Sequence, residues 1–518
     1  MSRAIVIGGG VAGLAAAGLL ARDGHDVTVL ERGPRVGGRA GVIERDGFRF
    51  DTGPSWYLMP GVFDHFFDLM GTSTDEQLDL SLLDPGYRVF PQPDGDEPSR
   101  AVSVPAGRDR VAALFERLEP GAAARLDPYL SSATRAGDMA VSHFLYNPFT
   151  RIAGLASPEI LRALPTLARL LFGRLDRFAA RRFSHPVIRQ ILGYPAVFLG
   201  TDPRAAPAMY HLMSALDLDD GVRYPRGGFW RLIEQIAALA ANAGAEIVTD
   251  AEVTEILTAR RGRRARARGV RWTDGRGASR VLEAEIVVSA ADLHHTETQL
   301  LPADLRTYPE AWWKRRTSGP GAVLVMLGVE GSLPQLAHHS LFFARDWNEN
   351  FDAIFGPGTH IPDPGSLYVC RPSASDASVA PAGHENLFVL VPVPADVEIG
   401  SSGSPDVETA ADAAVALISR WAGIPDLADR VVVRETLGPA DFARDYRSWH
   451  GGMLGPAHIL SQSAMFRAQN ASKKVEGLFY AGATVAPGVG VPMCLISAEI
   501  VLKRVRGDHS AGPLEARA

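Results

Sequence analysis

Cysteine is nearly missing from this chain: two, Cys370 and Cys494, stand far apart among 518 residues and in no metal-ligand spacing. A disulfide framework and a zinc module are thereby excluded, and a reducing, cytoplasmic setting is expected. A basic surplus is missing as well. Lysine and arginine together number 53 against 59 acidic residues, a net charge of -6, which argues against nucleic acid as a partner. No uninterrupted apolar run approaches the roughly 20 residues that cross a bilayer. The first strand-like run begins within a few residues of Met1, which leaves no space for a signal peptide. Short repeats and low-complexity tracts are also lacking. What remains is the composition of a folded enzyme, 46% hydrophobic, in a chain longer than one core supports, so two or three domains are expected.

The richest stretch is the first forty residues. Ala4-Ile5-Val6-Ile7 reads as a buried parallel strand, Gly8-Gly9-Gly10-Val11-Ala12-Gly13 as a glycine turn, and Val11 to Arg22 as a helix. A second strand, Val27-Thr28-Val29-Leu30, ends at Glu31, eighteen residues past Gly13. This is the βαβ setting in which G-x-G-x-x-G binds a dinucleotide. Gly8 serves the tight turn, Gly10 the approach of a pyrophosphate and Gly13 the helix–strand contact. The helix N-terminus offers free N–H groups to the phosphates, and Glu31 is placed for a ribose hydroxyl. Arg32 through Gly37-Gly38-Arg39 then adds a second close backbone approach and a permanent cation. A simple nicotinamide dehydrogenase needs neither.

Glu31 through Arg39 resembles the flavin-binding signature of amine oxidases, protoporphyrinogen oxidases and carotenoid desaturases. The resemblance implies FAD, with adenosine at Glu31 and pyrophosphate between the glycine turn and Arg39. Asp46-Gly47 marks a type I′ hairpin turn, and Phe50-Asp51-Thr52-Gly53-Pro54-Ser55 is similar to a stretch that passes the flavin in carotenoid desaturases. It also reads as a plain Gly-Pro turn, and both readings stand together.

Residues 62–200 read as helices broken by Pro and Gly. Leu164, Leu167, Leu171, Leu175 and Phe178 share one stripe with Arg162, Arg169, Arg174, Arg177, Arg181 and Arg182 interleaved. Such a helix lies in an anionic membrane interface or packs on its own domain with its arginines solvated. Past residue 224 the α/β pattern returns: a helix to about Asn242, a strand Glu246-Ile247-Val248, another from Val253, and Ile286 to Asp292 ending in small residues. Arg260, Arg261, Arg263, Arg264, Arg266 and Arg268 around Gly262 read as a solvated hairpin rather than a polyanion site. Residues 300–440 read as strands with few helices, forming one wall of a substrate cavity. His338-His339 tempts a metal reading, but adjacent residues on a strand face opposite ways, and no metal is expected.

The C-terminal block carries the family. Leu460-Ser461-Gln462-Ser463-Ala464-Met465-Phe466-Arg467 and Asn470 are similar to the bacterial phytoene desaturases, as are Gly477 to Ala483 and Pro487-Gly488-Val489-Gly490-Val491-Pro492. Where that family commonly has Gly-Thr-His before the proline, this chain has Thr484-Val485-Ala486, so two polar groups near the flavin are missing. The resemblance implies an α/β fold: a discontinuous Rossmann-like FAD domain (1–75, 220–300, 450–508), a mixed-sheet substrate domain (76–110, 205–219, 301–449), a helical subdomain facing the membrane (111–204) and a disordered tail (509–518). It places FAD against Gly8, Gly10, Ala12, Gly13, Glu31, Arg32, Gly38, Arg39, Gly53, Pro54, Ser55, Val253, Ala290, Gly482, Ala483, Gly490, Val491 and Met493. The activity implied is dehydrogenation of a long polyisoprenoid at the cytoplasmic membrane surface, with electrons passing to oxygen or a quinone. No acid or base stands out; Asp51 and His338 are candidates. Carotenoid isomerase, polyene saturase, ketolase, amine oxidase and a non-enzymatic isoprenoid carrier remain open, as does the oligomeric state.

Overall fold

The computed structural model describes residues 2–151, 158–261 and 264–516. Gly262 and Arg263 of the basic hairpin therefore lie outside the described residues.

Two sheets organise the chain. In the first, all strands are parallel, in the spatial order Leu478–Tyr480, Ile286–Ser289, Arg3–Ile7, Asp26–Leu30, Glu246–Val248. Ile5 and Ile7 face one layer while Ala4 and Val6 face the other, as the period of two requires. Parallel strands are buried on both faces, which is why Ala4 to Ile7 is apolar without interruption. Helix Val11–Arg22 covers one face, flanked by Phe229–Asn242 and Val491–Arg506. Eleven of its residues are buried, because two neighbouring helices and the sheet leave it almost no outward face. The antiparallel hairpin Glu252–Arg261/Arg264–Thr273 helps close the other side. Arg266 and Arg268 project to solvent from it.

The second sheet is mixed and has seven strands, in the order Val431–Leu437, Gly321–Glu330, His384–Val393, Leu367–Cys370, His339–Phe343, Tyr87–Pro91, Val102–Val104. Along Gly321–Glu330, Val323, Val325, Leu327 and Val329 meet helix Pro405–Ala422, whereas Ala322, Leu324 and Met326 point to the opposite core. That 18-residue helix departs from the strand-rich expectation for residues 300–440. Its apolar stripe (Val407, Ala410, Ala411, Ala414, Ile418) is mostly small and so gives a weak periodic signal.

The helices between residues 108 and 218 share that opposite core. Tyr129, Leu130, Phe183 and Ile188 pack with Leu324, Met326 and Phe388. The single amphipathic stripe expected over residues 164–178 is divided: one helix runs Pro158–Phe172 and a second Leu175–Ala180. Gly173 marks the break. Leu175 and Phe178 turn into the core, Arg174 pairs with Asp176 and Arg182 stacks on Phe178 at 4.0 Å. Within the tail expected to be disordered (509–518), residues 510 to 514 pack on the C-terminal helix: Lys503 Nζ donates to the carbonyls of Ser510 and Gly512, and Leu514 N–H to Glu499. Lys503 and Glu499 are buried, and the tail carbonyls and amide are their partners.

Candidate functional site

Between the two sheets lies one continuous cavity of about 670 Å³, within the range of small-molecule sites. It runs from the ends of the parallel strands to a wall built by the mixed sheet and the helices. Of the residues expected around FAD, Gly8, Gly10, Ala12, Glu31, Arg32, Gly38, Arg39, Gly53, Pro54, Ser55, Val253, Ala290, Gly482, Ala483, Gly490, Val491 and Met493 all border it. Gly13 does not. It sits one layer back, where a Cβ would overlap the Gly8 carbonyl, so its role is the close helix–strand contact.

Backbone and charge together make the cradle. Glu31 accepts from Gly9 N–H at 2.6 Å and Gly33 N–H at 2.7 Å, which fixes its carboxylate at the end of the second strand. Arg39 donates through Nη2 to Ser448 Oγ at 2.8 Å and stands 3.8 Å from Asp292, while its Nε is buried without a partner. Asp292 caps helix Leu293–Gln299 through His294 N–H. Burial raises its pKa against the opposing pull of Arg39. Gly53 passes so near the Arg39 carbonyl that no side chain fits there. An orphaned guanidinium N–H beside bare glycine backbone and a helix N-terminus is a donor set suited to a pyrophosphate. The residues present fit FAD.

The turn at the other end of the cradle is held from behind. Arg467 is buried and donates to the carbonyls of Val485, Pro456, Gln462 and Ala483. Burial lowers its pKa to about 10, which leaves it charged. Gln462 bonds the backbone of Thr317 and Ala457, and Asn470 donates to Ala486 O and Ser497 Oγ. The polar residues of the C-terminal block thus act as carbonyl clamps that set the loop from 482 to 490.

His458, which sequence reasoning missed, stands against this loop. It fills the space a Cβ on Gly488 would take, and Val489 N–H donates to its Nε2 at 3.3 Å. Its Nδ1 lies 2.9 Å from Tyr210 OH. Burial drives its pKa well down, so it is neutral. An imidazole therefore reaches the turn from a different segment, although Thr484-Val485-Ala486 carries none. Sequence reading had no signal for this, because residues 458 and 488 meet only in the fold.

Neither candidate acid or base borders the cavity. Asp51 accepts from Phe229 N–H at 2.7 Å and Trp230 N–H at 3.0 Å, capping the helix that begins there; burial still raises it to about 6. His338 is buried beside Tyr224 and Ser375. The strand starts at His339, so the alternation of faces does not hold for the pair. An imidazole nitrogen of each and Cys370 Sγ lie within 4.8 Å of one another. Burial pushes the thiol up to about 12 and keeps it protonated.

Past the cradle the walls are apolar: Leu145, Phe149, Leu167, Leu171, Phe198 and Phe351 among them. Met465 and Phe466 border the cavity yet are 43% and 57% exposed, which puts its mouth there. Helix Pro158–Phe172 lines the cavity with Leu167 and Leu171 and exposes Leu161, Leu164 and Phe172 to solvent. Among the described residues no helix is long and apolar enough to cross a membrane.

The chain matches the family described as flavin containing amine oxidoreductase over residues 11–505. It is 40% identical over 494 residues to a carotenoid 3,4-desaturase of Haloarcula japonica, covering 95% of this chain and 96% of that one. To a zeta-carotene-forming phytoene desaturase of Myxococcus xanthus it is 33% identical, with 97% and 93% covered. A solved putrescine oxidase with putrescine bound shares the fold at a TM-score of 0.61 and 14% identity, covering 98% of this chain and 99% of that one.

Proposed function

The chain belongs to the flavin-containing amine oxidoreductases and, within them, to the carotenoid desaturases; from that premise we propose that it dehydrogenates a long polyisoprenoid threaded from Met465 and Phe466 to the flavin cradle. It is an FAD-dependent oxidoreductase of phytoene desaturase type. Bound in the cradle, FAD supplies the hydride acceptor at its N5 and the electron sink for each new double bond.

The chain's own residues bind, orient and dry the site. The glycine turn at Gly8–Gly13, Glu31 and Arg39 take the dinucleotide; the loop from Gly482 to Met493, clamped by Arg467, presents backbone N–H groups at a helix N-terminus to the ring end. Negative charge on a reduced flavin is favoured there by the helix dipole. A hydrocarbon has no hydrogen-bonding handle, so its binding rests on burial in the apolar tunnel, worth about 25 cal/mol per Å². The observation that carries the reading is one cavity joining the dinucleotide cradle to an apolar wall with an exposed apolar mouth. That mouth, with exposed Leu161, Leu164 and Phe172 beside exposed Arg162 and Arg169, suits docking to an anionic lipid surface from which the substrate enters. Oxygen or a quinone then takes the electrons.

Reconstitution with FAD and liposomes carrying phytoene tests this. Red-shifted polyene bands with stepwise products by chromatography are expected. Bound flavin with unchanged phytoene, and with unchanged later carotenes, would overturn it.

A further inference from the structure

Removing two hydrogens from adjacent carbons leaves a proton to dispose of inside an apolar tunnel. Along the mixed-sheet wall, polar side chains form one line. Ser55 Oγ, at the cavity surface, lies 2.6 Å from Tyr368 OH, which also borders the cavity. Tyr368 OH lies 2.7 Å from His339 Nδ1. The His339 ring is held by Trp56, stacked at 4.4 Å and 13°. The rings of His339 and His338 are 4.6 Å apart, and each has a buried Nε2 without a partner. His338 Nδ1 lies 3.0 Å from Ser375 Oγ, and Ser375 is exposed.

Buried polar nitrogens without partners are costly and rare, and here two occur side by side in a path between cavity and solvent. We infer that Ser55, Tyr368, His339 and His338 form a proton exit wire that carries the substrate's second hydrogen from the tunnel to Ser375 at the surface. This rests on the desaturase reading above. In each step one hydrogen leaves as hydride, with its electron pair, to the flavin; the other leaves as a proton, and its C–H pair becomes the new π bond. Ser55 takes that proton and passes its own to Tyr368, which passes its own to His339 Nδ1. His339 releases the proton on Nε2 to Nε2 of His338, and His338 releases that on Nδ1 to Ser375 and water. The directions agree at every link, with His339 carrying its hydrogen on Nε2 and His338 on Nδ1. With both Nδ1 atoms engaged, one water bridging the two unpartnered Nε2 atoms completes that link.

The surroundings keep both imidazoles neutral and ready to relay. Burial lowers His338 to about 3 and His339 further; Arg371 adds to this for His338, and Asp376 opposes it. The Cys370 thiol beside them stays protonated and adds no charge of its own. Ser55 lines the cavity, where the wire has it meet the substrate as the catalytic residue; Tyr368 and the histidines act through it as positioning residues.

The test uses FAD-loaded enzyme and phytoene under anaerobic stopped flow, with Tyr368→Phe and Ser55→Ala. Loss of one link is expected to slow flavin reduction by about 100-fold or more and to abolish the solvent deuterium isotope effect expected of the wild type; Tyr368→Phe, outside the FAD cradle, is expected to leave FAD affinity within about twofold. ¹⁵N spectra of imidazole-labelled protein give a second readout: Tyr368→Phe shifts the nitrogens of His338 as well as His339. If Tyr368→Phe does not fold, Ser55→Ala decides. Flavin reduction within about twofold of wild type in the variants, or a shift confined to His339, overturns the wire alone. One bound zinc per chain in the purified holoenzyme overturns it too, by giving the same nitrogens a metal to hold. A wild type that phytoene never reduces fells the desaturase reading and the wire with it.

Discussion

At the scale of single residues, the polar groups that matter are buried ones with exacting partners. Arg467 satisfies four backbone carbonyls, three of them in buried bonds, and each buried polar group left unpaired costs about 1–3 kcal/mol. Arg467→Met is therefore expected to lower the urea midpoint by an amount equivalent to several kcal/mol and to weaken flavin binding. Equilibrium unfolding and flavin titration check both. Asp217 sets a pH dependence. It accepts from Tyr194 OH at 2.6 Å and Tyr87 OH at 3.0 Å, yet burial raises it to about 7. Between about pH 4 and 7 the folded chain thus holds a proton that the unfolded chain has lost. Stability is full below the unfolded value and falls as pH rises through 7. Asp217→Asn keeps the shape and removes the titration, so its melting temperature relative to wild type should rise from pH 5 to pH 8. Of these residues, Arg467 was legible as part of a motif but not as a clamp, since three of its four acceptors, the carbonyls of Pro456, Ala483 and Val485, lie outside that motif. Asp217 had no sequence signal at all.

Elements show where periodicity informs and where it misleads. The helix of the N-terminal βαβ unit was readable to the residue, running Val11–Arg22 as expected; its strands each begin one residue before the expected Ala4 and Val27, and Asp46-Gly47 turns the hairpin with positive φ at both positions. Both depend on contacts within a few residues. Helix Pro158–Phe172 is the counter-example. Its stripe divides between Leu167 and Leu171, which line the cavity, and Leu161, Leu164 and Phe172, which face solvent. Spacing alone gives one apolar face and cannot say that the core takes part of it. Replacing Leu161, Leu164 and Phe172 together by Glu should abolish flotation with anionic liposomes while leaving turnover of detergent-dispersed phytoene within about twofold. Each substitution removes roughly 1.5–3 kcal/mol of apolar burial in the interface and adds a repelling charge. Flotation equal to wild type would place the docking surface elsewhere.

Over the whole molecule, the cofactor cradle is assembled from residues near 8, 39, 53, 253, 290 and 490, so it exists only when the separate segments meet. Ligand that binds only the folded state adds RT ln(1 + [L]/Kd), about 2.7 kcal/mol at a hundredfold excess over Kd. Removal of FAD should lower the melting temperature by a few degrees and refilling should restore it; differential scanning calorimetry at graded FAD concentrations reads this directly. The amino-acid sequence by itself determined the glycine turn, the acidic Glu31 at the end of the second strand, the second glycine pair and the family, because these depend on short stretches whose backbone needs specific residues. Tertiary structure alone decided what lies behind them: that Asp51 caps a helix, that His458 stands against the turn at Gly488, and that one helix divides its leucines between the cavity wall and solvent. It also brought Ser55, Tyr368 and His339 into one line. Burial and long-range partners set those roles, and neither is written in the spacing of residues along the chain.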